Sequence, residues 1–146
     1  MEIRTEIEID APPAAVWRVL TDLRRYPDWN PFIVRASGAL ENDARLELTT
    51  VEPESNRERS FRALILKCEA ERELRFLYHS LMKGVLDHEH FLLLSPSNSG
   101  GTRVVHGRNE TGLFLKFALA GVTRRTRGLA YMNLALKRRV ENGAKR

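Results

Sequence analysis

Residues 6–32 read EIEIDAPPAAVWRVLTDLRRYPDWNPF and contain the clearest local signals of secondary structure in the chain. Charged and apolar residues alternate up to Ile9, which is the period of two of a β-strand. Two prolines and the alanine-rich run after them favour a helix that extends to Leu20. Residues 24–30 predict a second short helix, which Pro31 ends. The chain therefore begins with one strand followed by two short helices.

The chain after Pro31 predicts six further strands joined by short loops. These strands cover residues 32–38, 44–51, 59–70, 72–81, 85–94 and 101–111. Residues 96–101, with the sequence PSNSGG, mark a hairpin between the last two strands. Consecutive strands with short connections form an antiparallel sheet, so seven antiparallel strands are expected in all.

The apolar period changes after Gly112 from that of a strand to that of a helix. Apolar residues then recur near helical spacing at Leu115, Leu119, Val122, Leu129, Met132, Leu136 and Val140. They predict a long helix over 115–140 whose apolar stripe through Leu129, Met132 and Leu136 is buried against the sheet, and a frayed end over 141–146. Gly121 and Gly128 are unfavourable for an unbroken helix. The sequence therefore predicts an α+β fold, in which a curved seven-stranded antiparallel sheet wraps around one long C-terminal helix.

Length and composition restrict the class of protein. A chain of 146 residues predicts a single domain over residues 1–146. Its one cysteine, Cys68, cannot form an intrachain disulfide, and the charged first residues do not resemble a secretion signal. No apolar run reaches the roughly 18 residues of a membrane-spanning helix. These features predict a cytoplasmic protein without a transmembrane segment.

The motifs of several enzyme classes are missing from the sequence. It contains no P-loop, no Rossmann glycine pattern, no G-x-S-x-G motif and no paired cysteines. His88 and His90 form an H-x-H pair that His106 could extend to three imidazoles, but no convincing fourth ligand accompanies them. Neither a metal nor a cofactor is therefore predicted.

Motifs spread over the whole chain carry a family resemblance. They are the opening stretch through Trp29-Asn30-Pro31, then Glu89-His90, Gly101-Thr102-Arg103, His106, Gly112 and Met132-Asn133. They resemble the START-like helix-grip superfamily, and within it the polyketide cyclase/dehydrase-like branch often labelled SRPBCC. The resemblance implies a cavity between sheet and helix that holds lipids, hormones, polyketides or quinones, with catalysis in only some members. Two departures, His88 in place of the usual glycine and Glu110 in place of a common aromatic residue, make the expected cavity more polar.

Strand parity gathers a row of polar side chains on one face of the predicted sheet. His88 and His90 share a face on one strand, and His106, Arg108 and Glu110 share a face on the next. A histidine near a carboxylate can move protons near neutral pH, and an arginine can hold a carboxylate or an enolate. His106, Arg108 and Glu110 are therefore the candidate catalytic residues of an enzyme. The alternative is a satisfied hydrogen-bonded network of the same groups inside a binding cavity.

The hairpin between these two strands predicts how the row is paired. If Ser95 lies opposite Gly101, then His90 lies opposite His106. Two imidazoles this close cannot comfortably both be charged, so at least one should have a pKa below its ordinary value. A shift of two residues would keep the row on one face and change the partners, whereas a shift of one would turn His106 outward.

The candidate ligand-binding residues are side chains of the expected cavity wall. They are Trp29, Phe76, Tyr78, His88, His90, Leu92 and Met132. Trp29 is large and amphipathic, so it could cover a ligand or pack in the core.

Three functions follow from the sequence. The first is binding of a small apolar or amphipathic molecule, lipid-, polyketide- or quinone-like, with a polar or anionic end. The second is a polyketide cyclase or dehydratase that uses the polar row. The third is binding of nucleic acid or a membrane surface through residues 115–146, which carry nine Lys or Arg against one Glu. Nucleic acid is the least favoured partner, and the oligomeric state is left open.

Overall fold

The computed structural model describes residues 1–80 and 82–144. The strands are β1 (Glu2–Ile9), β2 (Ile33–Gly38), β3 (Arg45–Val51), β4 (Glu58–Glu69), β5 (Glu73–Ser80), β6 (Leu86–Pro96) and β7 (Thr102–Thr111). The helices are α1 (Pro13–Thr21), α2 (Tyr26–Trp29), α3 (Leu115–Ala118) and α4 (Val122–Ala144), with 3-10 turns at Leu23–Arg25 and Leu119–Gly121. The predicted order of elements is confirmed, and Leu81, the last residue of the predicted fifth strand, lies outside the described residues.

The seven strands form one curved antiparallel sheet in the order β1-β7-β6-β5-β4-β3-β2. Strands β2 to β7 follow one another in the chain, and β1 pairs with β7, with Glu2 opposite Asn109 and Ile9 opposite Thr102. The register shifts within the β2–β3 and β4–β5 pairs. Such irregularities bend and twist strands, so they help the sheet curve around α4.

The apolar stripe of α4 is buried, as predicted. Leu129, Met132 and Leu136 are fully buried in one core with Leu20 of α1 and Ile65 of β4. Burial of one leucine side chain contributes about 1.5–3 kcal/mol, so the stripe anchors α4 to the sheet. Among the helices of the described chain, none combines the length and the hydrophobicity that a membrane crossing requires.

The C-terminal helix is not continuous from Leu115. The 3-10 turn at Leu119–Gly121 separates α3 from α4, and the side chain of Leu119 is exposed rather than part of the buried stripe. Glycine is a poor helix former, so Gly121 favours the break at this point. The predicted long helix is therefore confirmed over α4, and its predicted span of 115–140 is interrupted at Leu119–Gly121.

The other end of the helix is more regular than predicted. α4 continues to Ala144 instead of fraying after residue 140, while residues 145–146 of the predicted frayed end lie outside the described part. The carboxylate of Glu141 lies 2.6 Å from the amine of Lys137 and accepts a hydrogen bond of 3.1 Å from the backbone N–H of Asp10. These contacts fasten the last turns to the start of the chain.

The hairpin between β6 and β7 is shifted by two residues from the predicted register. Ser95 lies opposite Arg103, so its predicted pairing with Gly101 is wrong. The ladder extends further than expected, and the backbone N–H of Ser97 donates to the carbonyl of Gly101 at 2.9 Å. Because side chains alternate with a period of two, this even shift leaves every residue on its predicted face.

Candidate functional site

Strands β6 and β7 place a row of ionisable side chains beneath α4. As strand parity predicts, the row consists of His88, His90, His106, Arg108 and Glu110, and all are buried. His88 lies opposite Glu110 and His90 lies opposite Arg108. The predicted direct opposition of His90 and His106 is wrong because of the shifted register. The two rings are diagonal neighbours, with centroids 4.7 Å apart.

The first half of the row consists of His90 and His106, and it belongs to a hydrogen-bond network that joins the sheet to α4. His106 Nδ1 donates to Asn133 Oδ1 at 2.8 Å, and Asn133 Nδ2 donates to the Thr5 hydroxyl at 2.9 Å. The Thr5 hydroxyl in turn donates to the carbonyl of His106 at 2.7 Å. Because an amide oxygen only accepts, the proton of His106 lies on Nδ1, and its Nε2 accepts from His90 Nε2 at 2.5 Å. The network is therefore satisfied when both imidazoles are neutral.

Burial keeps these two imidazoles neutral. Loss of solvent lowers the pKa of His106 to about 4, although the hydrogen bond to Asn133 opposes this shift. Loss of solvent, followed by the nearby His106 and Arg108, holds the pKa of His90 well below its ordinary value. The prediction that at least one of the pair titrates low is confirmed.

The second half of the row consists of His88, Arg108 and Glu110. With Arg125 of α4 it forms an ionic cluster around the buried carboxylate of Glu110. Its Oε1 lies 2.8 Å from Nε of Arg125, 3.4 Å from Nδ1 of His88 and 3.6 Å from a terminal nitrogen of Arg108. Arg108 donates to His88 Nδ1 at 2.9 Å, so the proton of His88 lies on Nε2, which donates to the Ser80 hydroxyl at 2.8 Å. His88 is thus bonded to Ser80 and Arg108, whereas His90 and His106 are bonded to each other.

The ionic cluster has an excess of one positive charge. Burial raises the pKa of Glu110, but the charges of Arg108 and Arg125 outweigh it and hold this pKa below its ordinary value. Loss of solvent lowers the pKa of His88, in agreement with its neutral tautomer. Within the described residues, the carboxylate oxygens of Glu110 and the Nε of Arg108 have no well-aligned hydrogen-bond partner. Two guanidinium groups therefore face one carboxylate.

A cavity of about 190 Å³ lies beside this cluster, between the sheet and the first turns of α4. Its lining residues are Phe32, Thr50, Glu52, Pro53, Arg57, Arg59, Phe61, Tyr78, Ser80, Leu86, His88, Arg108 and Arg125. The sheet supplies most of the aromatic and apolar wall. Four arginines but a single glutamate line the cavity, so its wall is cationic.

The predicted site residues divide between the cavity and the core. Tyr78 and His88 line the cavity, with their rings stacked at 5.0 Å, and Arg108 lines it as well. The other predicted residues lie elsewhere: Phe76, His90, Leu92, His106, Glu110 and Met132 are buried behind the wall, and Trp29 packs edge-on against Tyr26 at 5.3 Å. Of the seven candidate ligand-binding residues, Tyr78 and His88 line this cavity.

The packing of α4 explains why the cavity is confined to one end. A Cβ atom at Gly128 would lie 2.9 Å from Cδ2 of Phe32, so glycine allows the helix to approach this ring, which lines the cavity. From Leu129 onward, large apolar side chains fill the space between helix and sheet. Met132 is therefore a core residue.

Arg125 is the cavity residue that matters most among those missed by sequence reasoning. The sequence places it in a run of basic residues, which typically forms the solvated face of an amphipathic helix. One signal was present, because Arg125 precedes Leu129 by one helical turn and so lies on the line of the buried stripe. Asn133, which holds His106, likewise lies between buried positions of that stripe.

Solved structures with the same fold cover almost the whole chain. A protein from Nitrosomonas europaea is similar with a TM-score of 0.75 and 17% identity over 100% of this chain and 97% of that one. A START superfamily protein from Mycobacterium smegmatis is similar with a TM-score of 0.71 and 19% identity over 97% of each chain. The di-domain ARO/CYC protein StfQ of the steffimycin biosynthetic pathway is similar with a TM-score of 0.74 and 12% identity, over 99% of this chain and 52% of that one. At these identities the likeness concerns the fold alone.

A search of curated protein sequences gave no match. The family model described as polyketide cyclase / dehydrase and lipid transport matches residues 1–146, which is the full chain. This match confirms the resemblance carried by the sequence motifs. The chain belongs to the polyketide cyclase / dehydrase and lipid transport family.

Proposed function

We propose that the protein binds a small amphipathic monoanion, with a ring-containing apolar body, in the cavity between the sheet and the first turns of α4. The observation that carries this proposal is the composition of the cavity wall. Aromatic and apolar side chains line it together with four arginines and one glutamate. An apolar pocket with a few convergent polar groups is the usual form of a small-molecule site.

The volume of the cavity limits the size of the ligand. About 190 Å³ is less than the roughly 300–1,000 Å³ of pockets that hold drug-sized molecules. It is slightly more than the roughly 150 Å³ of an engineered cavity that binds benzene. The cavity therefore suits one or two rings, with the rest of the ligand extending toward solvent.

The aromatic residues of the wall suit a flat ring. The rings of Phe61 and Tyr78 lie 4.5 Å apart, and the ring of Tyr78 stacks on His88 at 5.0 Å. Offset-stacked and edge-to-face contacts of this kind favour aromatic ligands beyond simple burial of area. These side chains would hold the apolar body of the ligand.

The arginines suit an anionic group at one end of the ligand. Arg108 and Arg125 share the single carboxylate of Glu110, so the cluster gains a balancing charge when a monoanion binds. A guanidinium group binds carboxylates through paired N–H donors, and Arg108 lines the cavity. Arg108 would therefore contact the ligand directly.

The cyclase alternative has less support from this geometry. Of its three candidate catalytic residues, His106 is fully buried with both ring nitrogens engaged, and Glu110 is fully buried beneath its ion pairs. Only Arg108 lines the cavity, and a general acid or base must reach the proton that it moves. A cyclase would consume a short poly-β-ketone faster than buffer does, whereas a binding protein would leave it unchanged.

Binding of nucleic acid or a membrane surface through the arginines in the first turns of α4, a part of the third function, also has less support. Arg124 pairs with Glu52 at 3.1 Å, and Arg127 pairs with Glu54, so the first turn of α4 directs these cations toward the β3–β4 loop. Arg125 points toward Glu110. These cations are occupied within the chain rather than arranged along a phosphate backbone.

Isothermal titration with 2-naphthoate and its neutral amide, 2-naphthamide, tests the proposal. The two probes share their rings and differ in charge, so their difference in affinity reports the anionic site. We expect naphthoate to bind about tenfold more tightly or better, because hydrogen bonds to charged groups contribute about 1.5–3 kcal/mol. Arg108→Gln should abolish this preference. Arg138→Gln, the same change at an exposed position of α4, should preserve it.

Two results would contradict the proposal. The first is equal affinity of the wild-type protein for both probes. The second is a preference for naphthoate that survives Arg108→Gln.

A further inference from the structure

A group of large apolar side chains is exposed around α3. It consists of Met82, Leu113, Phe114, Phe117 and Leu119, each between 48% and 83% exposed. We call these five residues the α3 patch. The backbone N–H groups of Leu113 and Phe114 donate to the carbonyls of Gly84 and Val85 at 3.0 Å, which holds the two segments of the patch together.

The α3 patch is more than a set of scattered surface residues. Residues 113–119 read LFLKFAL and contain one charge, that of Lys116. The rings of Phe114 and Phe117 contact each other edge-on, with centroids 5.6 Å apart. Single exposed apolar residues are ordinary, but a contiguous exposed cluster marks a surface that contacts another apolar phase.

Two lysines lie in or beside the α3 patch, whereas the nearby carboxylate of Asp87, which accepts a hydrogen bond from the backbone N–H of Gly84 at 2.9 Å, is bonded to His79 at 2.7 Å. Lys116 lies within it, with its amine 5.7 Å from the ring centroid of Phe117, and Lys83 follows Met82 in the chain. The sequence contains no acidic residue between Glu110 and Glu141. Apolar side chains with lysines beside them complement an anionic lipid surface, because the rings bury below the headgroups while the amines contact phosphates.

The α3 patch lies beside the cavity. A Cβ atom at Gly121, in the turn after α3, would lie 2.5 Å from a guanidinium nitrogen of Arg125, which lines the cavity. On the other segment, Leu86 lines the cavity one residue after Val85. A surface bound to the patch would therefore adjoin the cavity.

We infer that the α3 patch docks the protein on an anionic lipid bilayer, with the cavity next to the membrane interface. The patch is distinct from the basic residues later in α4, and it inserts apolar side chains rather than relying on charge alone. Docking does not depend on the proposed ligand. Vesicle binding and naphthoate titration can therefore fail separately.

Co-sedimentation with lipid vesicles tests this inference. We expect the wild-type protein to bind vesicles of equal parts phosphatidylcholine and phosphatidylglycerol, and to bind pure phosphatidylcholine more weakly. The double variant Phe117→Ser/Leu119→Ser should lower the partition coefficient about tenfold or more, because each change removes an apolar side chain from the interface. Lys116→Gln should lower it about fivefold on anionic vesicles, since one lysine near such a surface contributes about 1 kcal/mol.

A matched control is available further along α4. Leu134 is exposed but lies outside the α3 patch, so Leu134→Ser should leave the partition coefficient unchanged. Circular dichroism melting is the control that shows whether each variant is folded. The inference is overturned if the wild-type protein does not bind anionic vesicles, or if the double variant binds them as the wild type does. It is also overturned if the wild type ignores vesicles and forms a dimer that the double variant loses, because a second copy then covers the patch.

Discussion

The Nε atom of Arg125 lies 2.8 Å from the buried carboxylate of Glu110, and this contact ties the first turns of α4 to β7 behind the cavity wall. The carboxylate holds a helix arginine inward that would otherwise extend to solvent. Arg108, on the same strand as Glu110, adds a second guanidinium to the same carboxylate. Because two guanidinium groups share one carboxylate, this cluster carries a net positive charge. Its residues belong to α4 and β7, which hold the charge beside the cavity.

Glu110→Gln should destabilise the protein strongly at neutral pH. Removing one partner of a buried ion pair costs about 3–5 kcal/mol, because the remaining charges stay buried without compensation. Urea unfolding measures the effect. Glu54→Gln is the matched control, since its ion pair with Arg127 is exposed and should contribute less than about 1 kcal/mol. Similar losses in the two variants would show that the Glu110 cluster has no special structural role.

Stability should fall as the pH decreases from about 6.5 toward 4. His106 titrates at 6.5 as a free side chain but at about 4 in the fold, so the unfolded chain binds more protons between these values. The free energy of unfolding therefore decreases with falling pH in this window, by about 3 kcal/mol at most for this one group. The lowered pKa of His90 acts in the same direction.

The histidine pair can be separated from other titrating groups by His106→Gln. Urea unfolding at pH 7 and pH 5 gives the change in the free energy of unfolding between these pH values for the variant and for the wild type. The variant should lose less stability between these pH values, although it is less stable at pH 7. Equal changes in the two proteins would mean that His106 does not control the acid sensitivity of the fold.

Strand parity made the polar row predictable. His88 and His90 share one face of their strand, and His106 and Glu110 share one face of theirs. A shift of the hairpin register by two residues leaves all of them on the same face of the sheet. The pairing itself was not predictable, because the sequence PSNSGG permits loops of different length between two apolar strands. The difference of two residues changed the partner of His90 from His106 to Arg108.

The extent of the cavity was not predictable from the sequence. Leu92 and Met132 have the same apolar signature whether they face a void or each other across a filled core. Which of these holds depends on how closely α4 approaches the sheet, and that distance is set by contacts remote in sequence, such as Gly128 against Phe32. The same limit applies to Trp29, whose size suits a ligand cover and a core contact equally.

Gly128→Ala should reduce ligand affinity more than stability. The new Cβ atom would lie 2.9 Å from Cδ2 of Phe32 and displace this ring toward the cavity that it lines. Overpacking of this size costs about 1–3 kcal/mol of stability, of which the better helix former at position 128 returns about 1 kcal/mol. The displaced ring takes up part of the space of the ligand, so naphthoate affinity should fall about tenfold, which corresponds to about 1.4 kcal/mol. Titration with naphthoate and urea unfolding measure the two effects.

Gly143→Ala provides the comparison for that change. No atom lies within 4 Å of a Cβ placed at Gly143, which belongs to the same helix. This variant should leave naphthoate affinity unchanged. If both glycine variants weaken binding equally, Phe32 does not set the size of the cavity.

A crystal structure with 2-naphthoate bound shows whether the cavity is the anion site that we propose. We expect the carboxylate within hydrogen-bond distance of the Arg108 and Arg125 guanidinium groups, and the naphthalene rings against Phe61 and Tyr78. Naphthoate bound with its carboxylate away from both arginines, or a cavity that contains no naphthoate at saturating concentration, would contradict it.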